Sequence, residues 1–462
     1  MSERFDLIVL GAGSAARDAA VRAAREHGAR VAIVERERWG GSCPSVACKP
    51  TKAYLVAAEL THDVNALADS IGIEVGAARA NLARIRAWKE SLKKPQPKWI
   101  EELEAAGLTT FQGEARLVDA NTVQVGETEL EAERILIATG SRTAVPPIDG
   151  IDDVGWIDHV SALELTELPD SLLVVGAGGV GLEFGQIFSR FGSRVTIVDA
   201  LERISPSSDK EASATLAAAL EDEGIEIATS VFVKTVRREG REIVATIAPR
   251  GGEEPYEVRA EQILLASGRA PNVEGLSLEN VGVETAKSGI PVDERMRTSV
   301  PGIWAAGDVT AVAQLTPVAQ YQGRIAVADM FGQNGPTADY SFLPTSIFTD
   351  PELAGTGLTE EQAREQGHEV ESVRNEYVTR FAFIAAKHGL FKVVFDRSTR
   401  CVLGIHVVSR NGGDVVQGFS LALRLGATVD DLARMHHIYP TFGEGVKAAA
   451  ERALATAQTE AV

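Results

Sequence analysis

The chain has 462 residues with a formal net charge of −19, a balance that argues against nucleic acid or anionic membrane surfaces as partners. Its 45% hydrophobic content and length are enough for about three domains with separate cores, while no apolar run reaches the ~20 residues of a membrane span. Three cysteines, and an apolar run Phe5–Leu10 too short and too soon followed by glycine to be a signal peptide, point to the cytoplasm.

That run predicts a strand leading into Gly11-Ala12-Gly13-Ser14-Ala15-Ala16 and an alanine-rich helix. Gly11 permits the tight turn, Gly13 lets backbone amides approach a pyrophosphate, and small Ala16 stands where helix and strand pack closely. The next strand, Arg30–Val34, ends at Glu35, where a carboxylate can bind a ribose hydroxyl. Strand, glycine turn, helix and acid together make a dinucleotide-binding fingerprint.

Cys43 and Cys48 follow within Gly40-Gly41-Ser42-Cys43-Pro44-Ser45-Val46-Ala47-Cys48-Lys49-Pro50-Thr51-Lys52. A zinc site would need two or more further ligands, and nothing nearby has ligand spacing. The pair lies in a Gly/Pro-punctuated stretch with Lys49 and Lys52 close by, and cationic neighbours favour the reactive thiolate. We read the two as redox thiols rather than inert core cysteines.

The first segment closes with the strand run Arg134–Ile137, then Thr139-Gly140-Ser141 and the turn Pro146-Pro147. A second fingerprint follows. Ser171–Val175 leads into Gly176-Ala177-Gly178-Gly179-Val180-Gly181, with Glu183 on the helix beyond, and Arg194–Val198 ends at Asp199. Two complete fingerprints mean two dinucleotides. Asp199 accepts the 2′-hydroxyl of NAD and repels the 2′-phosphate of NADP, and Arg203 is the only nearby cation, so NADH is expected.

The second segment ends at a buried strand, Gln262–Leu265, closed by Gly268 and Pro271; the chain then returns through Gly302–Val309, an apolar strand ending at Gly307-Asp308. Thr316-Pro317 reads as N-cap and first helical residue. From about Tyr340 a new block begins, with strands at Leu390–Phe395 and Val402–Ser409 and helices after Gly412. Cys401 reads as a core residue of the strand before Gly404. The boundaries expected are 1–147, 148–270, 271–339 and 340–462.

Taken together, the fingerprint ending in Glu35, the Cys43/Cys48 pair, Thr139-Gly140, the second fingerprint, Gly307-Asp308, Leu315-Thr316-Pro317 and the terminal Pro440-Thr441-x-x-Glu444 resemble the class I pyridine nucleotide-disulfide oxidoreductases. That family includes dihydrolipoamide dehydrogenase, glutathione reductase and mercuric reductase, and the likeness covers nearly the whole chain. It implies an α/β fold of two Rossmann-like dinucleotide-binding domains plus a C-terminal α+β dimerisation domain. FAD would lie on residues 1–147 and 271–339, NAD(P)H on 148–270, and residues 340–462 would form a homodimer. By the same resemblance Cys43 and Cys48 form a redox disulfide, with Cys48 the charge-transfer thiol against the flavin and Cys43 the interchange thiol. Lys52 would pair with Glu183 beside the flavin, Asp308 would bind the ribityl chain, and Thr316 would open a helix aimed at the flavin's anionic edge.

One position departs from the pattern. The family's disulfide reductases place a histidine immediately before the Pro-Thr, oriented by the glutamate, as acid and base; this chain has Tyr439, followed by Glu444. Histidine titrates near ~6.5 and tyrosine near ~10, a difference of roughly 5 kcal/mol in the population of the basic form at neutral pH. Oxidising dihydrolipoamide requires removing a thiol proton, which Tyr439 does badly. In an extended segment His437 would share a face with Tyr439 and could replace the base. Tyrosine here is also found in soluble transhydrogenases, which lack the second cysteine, and in mercuric reductases, which keep both. Mercuric reductases add a C-terminal cysteine pair, whereas the tail Ala453–Val462 has none, and no N-terminal metal-binding module is expected. Gly179 stands where glutathione reductase has a tyrosine over the nicotinamide pocket.

The expectation is therefore an FAD enzyme that takes electrons from NADH to Cys43–Cys48 and on to a metal ion, as in mercuric reductase, or a small electrophile. The runner-up is dihydrolipoamide dehydrogenase, followed by a quinone reductase or diaphorase. A non-catalytic redox-sensing flavoprotein fits less well, since a sensor has no need of a second complete fingerprint.

Overall fold

In the computed structural model, which describes residues 3–332 and 335–460, the apolar run at the start forms two strands rather than one. Glu3–Phe5 pairs in parallel with Thr128–Ala132, whereas Leu7–Leu10 enters a different sheet. The chain changes sheet at Asp6, whose N–H donates to the Arg30 carbonyl at 2.8 Å while its carboxylate accepts the Arg30 N–H at 2.7 Å.

The chain divides into two units. The first gathers Met1–Thr51, Ala87–Ala144 and Gly268–Asp339. Its central sheet is parallel, in the order Ile303–Ala305, Ile135–Ile137, Leu7–Leu10, Val31–Glu35, Thr109–Gln112. The inner strands are buried on both faces, which is why they read as continuous apolar runs. Helix Ser14–His27 packs on this sheet through Ala16, Ala19, Ala20 and Ala23 and against helix Thr316–Phe331. At that crossing a Cβ on Gly323 would lie 2.6 Å from the Ala15 carbonyl oxygen, so only glycine allows the approach.

The second unit comprises Lys52–Arg86, Val145–Ser267 and Tyr340–Val462. It repeats the parallel arrangement in the order Glu226–Ala228, Arg194–Val198, Ser171–Val175, Gln262–Leu265. Beyond it lies an antiparallel sheet of Thr345–Ile347, Glu352–Gly357, Val402–Ser409, Leu390–Asp396 and Val370–Asn375. Helices Gly412–Arg424 and Glu444–Glu460 bury Val416, Phe419, Leu423 and Val446 against that sheet. The fold is thus mixed α/β, with two dinucleotide-type parallel sheets and a C-terminal α+β block, as the motifs indicate. Cys401 is a correction: it is only half-buried and stands one residue before its strand, bridged to Thr428, because the chain enters the sheet at Val402.

Within the second unit, Arg410 donates to both carboxylate oxygens of Asp63, at 2.9 and 3.0 Å, and to Asp350 at 2.6 and 3.1 Å. Burial alone would push Asp350 up; the ion pairs with Arg410 and Arg190 outweigh it and hold the carboxyl below its ordinary range. Among the described residues no helix is long and apolar enough to cross a membrane.

Candidate active site

The two glycine turns are built alike, bond for bond. Gly11 N–H donates to Val34 O at 2.7 Å and Ala138 N–H to Leu10 O at 2.9 Å; their counterparts are Gly176 to Val198 at 2.8 Å and Ala266 to Val175 at 2.8 Å. Gly11 and Gly176 sit at φ +101° and +114°, and a Cβ on either would lie 2.4 Å from a carbonyl oxygen. At the third position the copies differ: a Cβ on Gly181 would come within 1.8 Å of Gly176 O, whereas Ala16 carries its methyl group fully buried.

Each turn fits a dinucleotide. The helix N-caps, Gly13 and Gly178, make no side-chain cap, so the first-turn amides are left for an anion, and a Cβ on either glycine would meet nothing within 4 Å. The strand-end acids brace the turns. Glu35 accepts the Ala12 amide at 2.9 Å and those of Glu37 and Arg38 at 2.7 and 3.1 Å. Asp199 accepts Ala177 at 2.6 Å and Leu201 at 2.8 Å. A carboxylate has about four lone-pair sites, so both retain capacity for a ribose hydroxyl.

Cys43 lies in the short helix Ser42–Ser45, and Cys48 is the first residue of helix Cys48–Ala66. The turn between them is closed by Val46 and Ala47 N–H groups donating to Ser42 O at 2.8 and 2.9 Å. The Cys48 sulfur is 3.8 Å from Thr316 Oγ1. Thr316 is the first residue of its helix and Pro317 the second; the N-cap is Leu315, whose extended backbone (φ −125°, ψ 137°) leads in, which corrects the cap read from sequence. In the same unit Thr139 Oγ1 donates to Asn272 O at 2.7 Å, Gly140 O accepts the Asn272 amide at 3.0 Å, and Gly268 O accepts that of Ala144 at 3.0 Å. Asp308 accepts Ser141 Oγ at 2.7 Å, and Gly307 N–H is held by buried Gln322 at 2.7 Å. The bonds to Asn272 and Gly268 flank the pairing of strand Ser141–Thr143 with strand Arg269–Pro271.

Both lysines are held by other partners. Lys49 Nζ donates to Leu92 O at 2.5 Å, and Lys52 Nζ grips both oxygens of Glu183 at 2.9 and 3.0 Å. Glu183 also accepts the Phe348 amide at 3.0 Å, and the ammonium lies 4.2 Å from the Phe348 ring centroid. Arg17 stands one turn beyond the glycine motif on helix Ser14–His27, its guanidinium carbon 4.3 Å from the Trp99 ring centroid.

At the other end of the chain, Tyr439 is 72% exposed, its hydroxyl 3.4 Å from Thr379 Oγ1. His437 is turned the other way and stacks on Phe419 with ring centroids 6.2 Å apart. Its buried Nε2 has no hydrogen-bond partner among the described residues, and burial together with nearby Lys447 lowers its pKa. Glu444 opens the last helix and accepts the Thr441 amide at 3.4 Å. The cysteine-free tail extends past the described residues at Ala461 and Val462. A Cβ on Gly179 would lie 3.6 Å from Ile347, so that side chain fills part of the space left by the glycine.

The chain matches the pyridine nucleotide-disulphide oxidoreductase family over residues 5–323 and the dimerisation domain of pyridine nucleotide-disulphide oxidoreductases over 343–450. It is 37% identical to a mercuric reductase of Staphylococcus aureus, over 96% of this chain and 82% of that one. It is also 37% identical to a dihydrolipoyl dehydrogenase of Thermus scotoductus, over 97% of each. Among solved structures, the Cu(II) complex of the HOCl-induced flavoprotein disulfide reductase RclA from Escherichia coli is similar, with a TM-score of 0.85 and 26% identity over 98% of this chain and 100% of that one.

Proposed function

Because this chain belongs to the pyridine nucleotide-disulphide oxidoreductases, whose members use FAD and NAD(P)H, we propose that it is a reductase drawing electrons from NADH and delivering them through Cys43 and Cys48 to a soft metal ion, mercuric ion foremost, or to a small electrophile. The observation that carries this reading is an intact cysteine pair combined with an exposed Tyr439 where a catalytic histidine would stand, while His437 is turned onto Phe419. A thiolate-bound soft metal needs no proton transfer to leave, so the lost base is tolerable for metal and costly for dithiols.

FAD, when bound, supplies the two-electron relay between nicotinamide and thiols. The amides after Gly13 would hold its pyrophosphate and Glu35 its ribose, with Thr139, Gly140, Asp308 and Thr316 along the rest of the molecule. By the family pattern the Lys52 ammonium would favour negative charge on the reduced ring, and its carboxylate partner Glu183, which also accepts the Phe348 amide, would offset the cost of holding it. The division of labour we propose is FAD on 1–147 and 271–339, nicotinamide cofactor on 148–270, and dimerisation through 340–462. Exposed Leu421, Leu425 and Ile438 in that last segment suit a homodimer interface. A cytoplasmic location fits the sparse cysteines.

Preference for NADH rests on Asp199 and on the state of Arg203, which donates to Glu361 at 2.7 Å and to Pro206 O at 3.0 Å and so is already engaged. Steady-state kinetics should give a Michaelis constant for NADPH at least about tenfold above that for NADH; a lower value for NADPH at equal turnover overturns the assignment.

The function is tested by turnover of the purified flavoprotein with NADH and three acceptors. Mercuric ion should outpace lipoamide by more than about tenfold, with a long-wavelength charge-transfer band on anaerobic reduction. Fast lipoamide turnover would instead establish a dihydrolipoamide dehydrogenase, the reading favoured by the Thermus scotoductus relative. Turnover of quinone alone would establish a quinone reductase, and a flavin that NADH fails to bleach would leave only a sensing role.

A further inference from the structure

Helix Gly179–Phe191, which begins at the second glycine turn, has two unlike faces. Gly181 and Gly185 lie toward the parallel sheet, where a Cβ on Gly185 would be 2.7 Å from the Ile197 side chain. Glu183, Gln186 and Arg190, spaced three and four residues apart, share another face. Glu183 and Gln186 are buried, and the Arg190 side chain is 4% exposed. What these three hold is main chain. The Phe348 amide donates to Glu183 at 3.0 Å and the Asp350 amide to Gln186 Oε1 at 2.8 Å, while Gln186 Nε2 donates back to Asp350 O at 2.7 Å. Arg190 adds bonds to the Asp350 carbonyl and carboxylate at 3.1 and 3.2 Å.

Gln186 therefore grips one residue by both its amide and its carbonyl, and its remaining N–H goes to Glu223 at 3.0 Å. A neutral carboxamide offers donor and acceptor together, which neither a carboxylate nor an ammonium does. The segment so gripped also meets the glycine turn. Ile347 lies 3.6 Å from where a Cβ on Gly179 would stand, and the Phe348 ring centroid is 4.2 Å from the Lys52 ammonium. Gly179 is the position that faces the nicotinamide in the family pattern, so Ile347 supplies a wall on that side. A wall ordered beforehand spares the cost of ordering it when a ligand arrives.

Resting on the assignment of residues 148–270 to the nicotinamide cofactor, we propose that Gln186 is a positioning residue for that cofactor. By fixing the main chain at Asp350 it holds Ile347 opposite Gly179 and keeps the Phe348 amide on Glu183. Its role lies on the electron-donor half of the reaction, and the acceptor does not enter it. The ion pairs of Arg410 tie down the same Asp350 through its carboxylate, at 2.6 and 3.1 Å, but leave the amide and carbonyl to Gln186 and Arg190. The two kinds of bond can thus be removed one at a time.

The test uses the purified flavoprotein with NADH and a quinone, an acceptor that needs no thiol. Gln186→Leu should raise KM for NADH about tenfold, the worth of two main-chain hydrogen bonds, and leave kcat within about threefold. Gln186→Glu, which keeps the acceptor for the Asp350 amide, should raise it only about threefold. Without NADH, hydrogen exchange of amides 347–350 should quicken by about tenfold or more in Gln186→Leu. Ile347→Ala should raise KM about fivefold with the exchange at Asp350 unchanged, and adding Gln186→Leu to it should cost less than about threefold more. Arg410→Met should lower the melting temperature and leave KM within about twofold. An unchanged KM in Ile347→Ala or in both Gln186 variants overturns the proposal, and so does an equal rise in Arg410→Met, which would make Gln186 structural only. If NADH fails to slow exchange in the wild-type turn 176–181, the cofactor assignment itself falls; slowing there with no effect of the variants on KM rejects Gln186 alone.

Discussion

Changing Cys43 to Ser should lower mercuric and disulfide turnover by roughly 10³-fold or more while leaving quinone reduction within about twofold of wild type. The hydroxyl is almost isosteric with the thiol but does not bind a soft metal ion or exchange with a disulfide, whereas a quinone takes its electrons directly from the reduced flavin and needs neither sulfur. Local folding should survive the change, because the turn is closed by main-chain bonds from Val46 and Ala47 to the Ser42 carbonyl. Parallel anaerobic assays with the two acceptor classes check this directly. Unimpaired metal turnover in the variant would sink the dithiol route.

The second large effect is a gain. Tyr439→His should raise dihydrolipoamide oxidation about 10²- to 10⁴-fold, the usual worth of a positioned acid–base group, and change mercuric turnover by less than about threefold. Glu444 already stands at the start of the last helix, and Tyr439 is largely exposed, its hydroxyl 3.4 Å from Thr379 Oγ1, so little packing is lost on substitution. The rate with dihydrolipoamide should then follow a single ionisation near the imidazole range, ~6.5. No gain, in a variant that folds as the wild type does, would show that another group already supplies the base and that the missing histidine says nothing about the acceptor.

What could be read from the sequence was whatever the chain writes locally. Both glycine turns, their acid-ended strands and the strand Val402–Ser409 carry their pattern within a few residues, and each lies where periodicity and turn residues put it. The sheet change at Asp6 was hidden, because Phe5–Leu10 reads as one run and the break depends on Arg30, a partner 24 residues away. Thr316 looked like a cap because its side chain is a capping type; the backbone of Leu315 decides otherwise. Lys49 and Lys52 were nearest to the thiols in sequence, yet Leu92 and Glu183 claim them. Charge pairing at a site is a tertiary property, so residue spacing along the chain is a poor guide to it.

The crossing at Gly323 has a consequence for how such a protein diversifies. Helix Ser14–His27 bears the phosphate turn at its head, and helix Thr316–Phe331 bears the threonine beside Cys48 at its own; the separation of the two is set by a single missing methyl group. Gly323 therefore acts as a gauge block for the distance between the two helices. Position 439 belongs to the other unit and takes no part in that crossing, so a lineage can change the residue there without altering it.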